Sequence, residues 1–221
     1  MTTATLSAPS SPAFPLLARA LVAGAAVRTQ SRRLRALWAS AATVARLRGR
    51  AHASRHDRAM ALAQLAGALT AIDGTTLDVV GVSPPRPCLL VAPPCSDRDI
   101  TAILAAVPAA AVVPHHLVPP SAAAALGLSA DDDVGAAVAH ALAAIRAGVS
   151  VVTTADATAV AELLGLASLT ATPVVAVGAR RTGPRGIDVV VRAPTVALPG
   201  EAPAALLARV LDGLAFRRPR A

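Results

Sequence analysis

"LLVAPPCSDRDITAIL", residues 89–104, holds the turn on which the fold is decided. Leu89, Leu90, Val91 and Ala92 form an apolar run of strand type, and Pro93 and Pro94 stop it, because proline has no N–H to give a sheet. Ser96 then stands where a helix N-cap would stand, with Asp97 and Asp99 in the first turn, where the helix dipole favours anions. From Ile100 the apolar positions fall at Ile103 and Leu104, which is helical spacing. A strand, a short polar corner and a helix N-terminus make half of a strand–helix–strand unit. In open α/β sheets ligands sit at such carboxyl ends. This corner offers carboxylates, a hydroxyl and a thiol, but no histidine.

Working outward, the same alternation continues. Strand-like runs cover 75–81, 88–92, 110–113, 149–153, 173–177 and 187–192. Helical stretches cover 55–74, about 98–107, 121–127, 133–147, 158–169 and 202–215. Asp131, Asp132 and Asp133 open the 133–147 helix and Gly148 follows it; Gly74 closes the 55–74 helix in the same way. Near-continuous apolar strands separated by helices call for a sheet covered on both faces. The expected fold is α/β: a single domain over 55–216, with a mixed, mostly parallel sheet, helices on both faces, and basic amphipathic helices before it.

Composition supports a real core of small parts. Of 221 residues, 54% are hydrophobic but only 1% aromatic, so alanine, valine and leucine carry the packing. There is no lysine, and the net charge of +8 is unevenly placed. Residues 1–72 hold ten arginines against one acid, and residues 73–221 hold eleven against twelve. A basic excess confined to one end points to an anionic surface as partner. Two cysteines, Cys88 and Cys95, match no zinc spacing and read as reduced thiols of a cytosolic protein; no metal is expected.

Residues 1–15, rich in Ser, Thr and Pro, read as a disordered N-terminus. The apolar stretch 16–27 is too short to span a bilayer, which takes roughly 20 apolar residues, and it lacks the flanks of a signal peptide. Residues 16–54 read as a basic helical extension. Within it, Leu34, Leu37, Trp38, Ala41, Val44 and Ala45 share one face of a helix over 31–50, with Arg32, Arg35, Arg46 and Arg50 off that face. Such a helix can lie in the interface of an anionic membrane, aromatic inward and arginines among the phosphates. Nucleic acid is disfavoured as a partner, since there are almost no aromatics to stack on bases. A protein partner is left open. Residues 217–221 form a short basic tail.

No glycine-rich dinucleotide turn, P-loop or G-x-S-x-G elbow is present. The order of blocks instead resembles the glycerolipid acyltransferases, which acylate lysophosphatidic acid and related acceptors. The resemblance runs from about 55 to 215. In that family an N-H-x-S-x-x-D block follows a strand; here the segment is Pro93-Pro94-Cys95-Ser96-Asp97-Arg98-Asp99. Ser96 and Asp99 fit, and Pro94 occupies the place of the histidine. The family's F-P-E-G-T-R block corresponds to Thr154-Ala155-Asp156-Ala157-Thr158-Ala159, where Asp156 and Thr158 fit and the arginine is absent. The block that supplies an arginine for the acceptor phosphate falls near Gly127–Asp133, which offers carboxylates instead. The last block keeps Pro173 but has Ala176 for its second proline.

The resemblance implies a glycerol-phosphate-acyltransferase-like fold, with Asp99, Pro94 and Ser96 at the catalytic positions. It implies Asp156, Thr158, Cys95 and Arg98 on the substrate side. In the family the histidine is the general base and the aspartate orients it, so Pro94 removes the base. The loss of a positioned base costs about 10²–10⁴-fold. His115 and His116, after the next strand, and His140, His52 and His56, in helices, read as structural or surface groups. The expectation is therefore an impaired or inactive acyltransferase relative. It would be cytoplasmic, peripheral to the inner membrane, and would bind lipid or a partner. One alternative is an active enzyme taking its acyl chain from acyl-CoA or acyl-carrier protein. The other is a non-enzymatic α/β binding module. No bound cofactor is expected.

Overall fold

Four residues, Leu89–Ala92, are buried on both sides of the backbone at the middle of the chain, and so are Val151–Thr154. An apolar strand with no wet face must lie inside a sheet with helices on both sides. The computed structural model describes residues 54–113, 129–130, 133–212 and 214. In chain order these give α1 (Arg55–Ile72), β1 (Thr76–Gly81), β2 (Leu89–Ala92), α2 (Asp97–Ala106), β3 (Ala110–Val113), β4 (Ser129–Ala130), α3 (Val134–Arg146), β5 (Val151–Thr154), α4 (Val160–Leu169), β6 (Val174–Arg181), β7 (Gly186–Val191) and α5 (Pro203–Asp212). The extension helix over 31–50 and the helix over 121–127 lie outside the described residues.

The strands form one seven-stranded sheet in the order β1-β7-β6-β2-β5-β3-β4. Every neighbouring pair is parallel except β6 and β7, which are antiparallel. This is the mixed, mostly parallel α/β sheet that the alternation of apolar strands and helices implies. β6 runs four residues further than the apolar run 173–177 suggests, and turns back as a hairpin through residues 182–185. β7 therefore points the opposite way to β2, β5 and β6, and so does β1, its parallel neighbour. The amino end of β1, the hairpin, and the carboxyl ends of β2 and β5 consequently share one edge of the sheet.

Side chains alternate across the sheet and split the core in two. One layer joins Leu90 and Ala92 of β2 to Leu62 and Ala66 of α1 and to Ile100 and Ile103 of α2. The other joins Leu89 and Val91 to Ala137, Ala141 and Ala144 of α3, Leu163 and Leu164 of α4, and Leu206 and Val210 of α5. The alanine stripe on α3 lets that helix sit close to the sheet, which is how a chain almost without aromatics fills its interior.

Helix ends follow local chemistry. Asp133 caps α3: its Oδ1 accepts the Ala136 N–H at 2.9 Å. Gly148 follows at φ +73° and Gly74 follows α1 at φ +65°, the left-handed region in which a C-terminal glycine costs little. Among the described residues no helix is long and apolar enough to cross a membrane.

Candidate functional site

The chain leaves β2 at Ala92, passes the half-buried Pro93 and exposed Pro94, and enters α2 through Ser96. Ser96 is extended (φ −78°, ψ 165°) and caps the helix. Its Oγ accepts the Asp99 N–H at 3.3 Å and donates its proton to Asp99 Oδ2 at 2.7 Å. The Ser96 N–H donates to the same Oδ2 at 3.2 Å. Asp99 and Ser96 thus satisfy each other in a reciprocal capping box. In the pattern this corner resembles, the aspartate orients a histidine. Here its Oδ2 is engaged by the serine, and the histidine position holds a pyrrolidine ring with no proton acceptor.

The other half of the corner comes from β5. The Ala155 N–H donates to the Ala92 carbonyl at 2.7 Å, so the two strands stay paired up to the turn. Asp156 and Thr158 then lie exposed in that turn. Thr153 and Thr154, just before it, are both fully buried, and their hydroxyls have no hydrogen-bond partner among the described residues.

Cys95 ties the halves together. It is half-buried and packs on the α1/α2 side of the core. Its thiol is pushed up to about 12, first by burial and then by the negative fields of Asp99 and Asp156. The thiol is therefore protonated at neutral pH. A thiol held in that form is a poor nucleophile, because the thiolate is the reactive species. Cys88 is a second free thiol, fully buried beneath the sheet's other end, with Sγ 3.4 Å from Ser150 Oγ.

Arg98 turns away from the corner. Its Nη2 donates to Thr75 Oγ1, before β1, at 2.7 Å. His140, mid-helix in α3, has a buried Nε2 without a partner among the described residues. Burial, with Arg55 and Arg58 of α1 beside it, holds its pKa below the usual imidazole value. Its helix packs on the opposite face of the sheet from α2, so it is not part of the β2–α2 corner. His56 is exposed on α1, while His52, His115 and His116 lie outside the described residues, as do Asp131 and Asp132. Among the described residues no group of three or more His, Cys, Asp or Glu could hold a metal ion.

The structure thus gathers Pro94, Cys95, Ser96, Asp99, Asp156 and Thr158 at the carboxyl ends of two adjacent central strands. It adds what the sequence does not display: the unpartnered hydroxyls of Thr153 and Thr154, and an arginine-bearing hairpin at the same edge. Strand order brings that hairpin there, and strand order is not written locally in a sequence.

The sheet order and the two-sided helical cover define a mixed, mostly parallel α/β fold with a polar corner after its second strand. A solved structure with this fold is the 1-acyl-sn-glycerophosphate (LPA) acyltransferase PlsC from Thermotoga maritima. It superposes with a TM-score of 0.57 over 88% of this chain and 98% of that one, at 16% sequence identity. At that identity the likeness is one of fold. No family model matches the chain, and no curated protein matches its sequence.

Proposed function

We propose that this chain is an acyltransferase-family protein of phospholipid metabolism in which the acyl-transfer step is lost or severely impaired. It acts as a lipid- or partner-binding relative at a membrane surface. The observation that carries this reading is the capping box. Asp99 Oδ2 is committed to Ser96, and the residue at the base position, Pro94, cannot take a proton. Arg32, Arg35, Arg46 and Arg50 supply the attraction to anionic lipid. The competing reading is turnover, with an acyl chain passing from acyl-CoA or acyl-carrier protein to a lysophospholipid. It draws on Asp99 and Asp156, which follow the carboxyl ends of the adjacent strands β2 and β5.

The test is acyl transfer from acyl-CoA to lysophosphatidate by the purified protein and by Pro94→His. Neither should turn over, because the histidine would find Asp99 already engaged by Ser96. Robust turnover by the single variant would refute this. In parallel, wild type should sediment with vesicles of phosphatidylglycerol and phosphatidylcholine, and replacing Arg32 and Arg35 together should weaken that several-fold. No sedimentation and no turnover would leave a non-enzymatic α/β binding module.

A further inference from the structure

The β6–β7 hairpin brings cations to the edge of the sheet at which the β2–α2 corner stands. Arg180 and Arg181 end β6, and Arg185 stands in the turn. Their surroundings differ. Arg180 lies opposite Asp188 in the register and pairs with it, Nη2 to Oδ2, at 2.7 Å. Arg181 lies opposite Ile187, and residues directly opposite in an antiparallel pair project to the same face. Ile187 is buried in the layer beneath α1 and α2, so Arg181 emerges on the α2 side of the sheet. Arg181 and Arg185 are exposed and make no ion pair or side-chain hydrogen bond among the described residues.

Two sets of bonds fix the hairpin against α2. The Arg185 carbonyl accepts the Thr76 N–H at 2.7 Å and the Thr76 hydroxyl at 3.3 Å. The neighbouring Thr75 hydroxyl accepts Arg98 Nη2 at 2.7 Å. Arg98 belongs to the first turn of α2, which packs over β6, β7 and β1, and its head meets the residue just before β1. Its head is thereby held on the face and at the edge where Arg181 emerges. One of its five N–H groups is spent on Thr75. The nearby acids are partly engaged: Asp97 Oδ1 accepts the Arg98 N–H at 2.8 Å, and Asp99 Oδ2 is in the capping box.

We propose that Arg98, Arg181 and Arg185, gathered where the hairpin meets the first turn of α2, form a binding site for a phosphomonoester. Guanidinium groups bind phosphate through paired N–H donors, which suits a dianion better than a single point charge would. The site rests on the lipid-binding reading above for its setting. It would replace, from a different part of the fold, the acceptor-phosphate arginine that the Gly127–Asp133 segment does not supply. The phosphomonoester has two chemical sources, a glycerol phosphate headgroup and the 3′-phosphate of coenzyme A.

Calorimetric titration of the full chain separates these sources. Glycerol 3-phosphate should bind with one site per chain, and glycerol should not. Arg181→Glu and Arg185→Glu should each weaken binding about tenfold or more, since each removes a charge-assisted contact. Arg181→Gln, without charge reversal, should weaken it by less. Arg192→Glu, exposed just after β7 at the end of that strand away from the hairpin, should leave it within twofold. Coenzyme A binding that depends on Arg181, with 3′-dephospho-coenzyme A indifferent to it, would assign the site to the donor. Dependence with glycerol 3-phosphate alone would assign it to the acceptor. Failure of both phosphates to bind, or an equal loss in Arg192→Glu, would overturn the site. Binding without turnover leaves it standing and sinks only the active-enzyme reading.

Discussion

The corner between β2 and α2 and the hairpin between β6 and β7 stand at one edge of the same sheet, and they spend their charges differently. At the corner two carboxylates are engaged by their own helix end: Asp99 closes a capping box with Ser96, and Asp97 accepts the next backbone N–H. At the hairpin one arginine is neutralised by Asp188, and two others reach solvent without an ion-pair partner among the described residues. Ser96 and Asp99 bond each other at the end of a helix, while Arg181 and Arg185 stay exposed at the end of a strand and in the turn after it. A motif position is thus no guide to function until the partners of its side chains are known.

The largest effect on this contrast is expected at the hairpin. Asp188 is only 9% exposed, and Arg180 is its one partner among the described residues. Arg180→Ala should cost roughly 1–3 kcal/mol in chemical denaturation, the range for leaving a buried polar group unsatisfied. Asp188→Asn should cost less, because it leaves behind a half-exposed arginine that water can solvate. Equal costs would mean that the ion pair itself, rather than the buried carboxylate, is what matters.

At the corner, Ser96→Ala removes the N-cap and should cost about 1 kcal/mol of stability. Thermal melting of that variant sharpens the comparison, since a cost near zero would show that Asp99 is not held by the cap. The smallest effect concerns Cys95. Its thiol, pushed up to about 12, should react with iodoacetamide at a rate that keeps rising above pH 9 rather than levelling there. Neutralising a carboxylate lowers that pKa and raises the thiolate fraction, so Asp156→Asn should speed alkylation at pH 9 a few-fold. An unchanged rate would place Asp156 away from the sulfur.

Much of this was legible in the residues. Leu89–Ala92 and the spacing of Ile100, Ile103 and Leu104 mark a strand and a helix whose side chains are buried, because burial on two faces or on one stripe leaves a direct imprint on composition. Ser96 and Asp99 stand three apart before an apolar run, which is at once a capping-box spacing and the spacing of a catalytic block. Only the bond between them, at 2.7 Å, tells the two uses apart. The hairpin was not legible in the same way. The run 173–177 suggests a strand that ends at Val177, yet β6 continues through Gly178 to Arg181, carried by pairing with β7 rather than by apolar side chains. Which strands are neighbours depends on long-range register, so the meeting of Arg98 with Thr75 has no signature in either segment. The unpartnered hydroxyls of Thr153 and Thr154 follow from burial that a threonine pair does not announce.

The central claim is that Asp99 serves the helix and not a reaction. It is tested most directly by measuring acyl transfer from acyl-CoA to lysophosphatidate side by side for the wild-type chain and Asp99→Ala. The account predicts that both stay at the same background rate while the variant melts earlier. Turnover in the wild type that disappears in Asp99→Ala would contradict it.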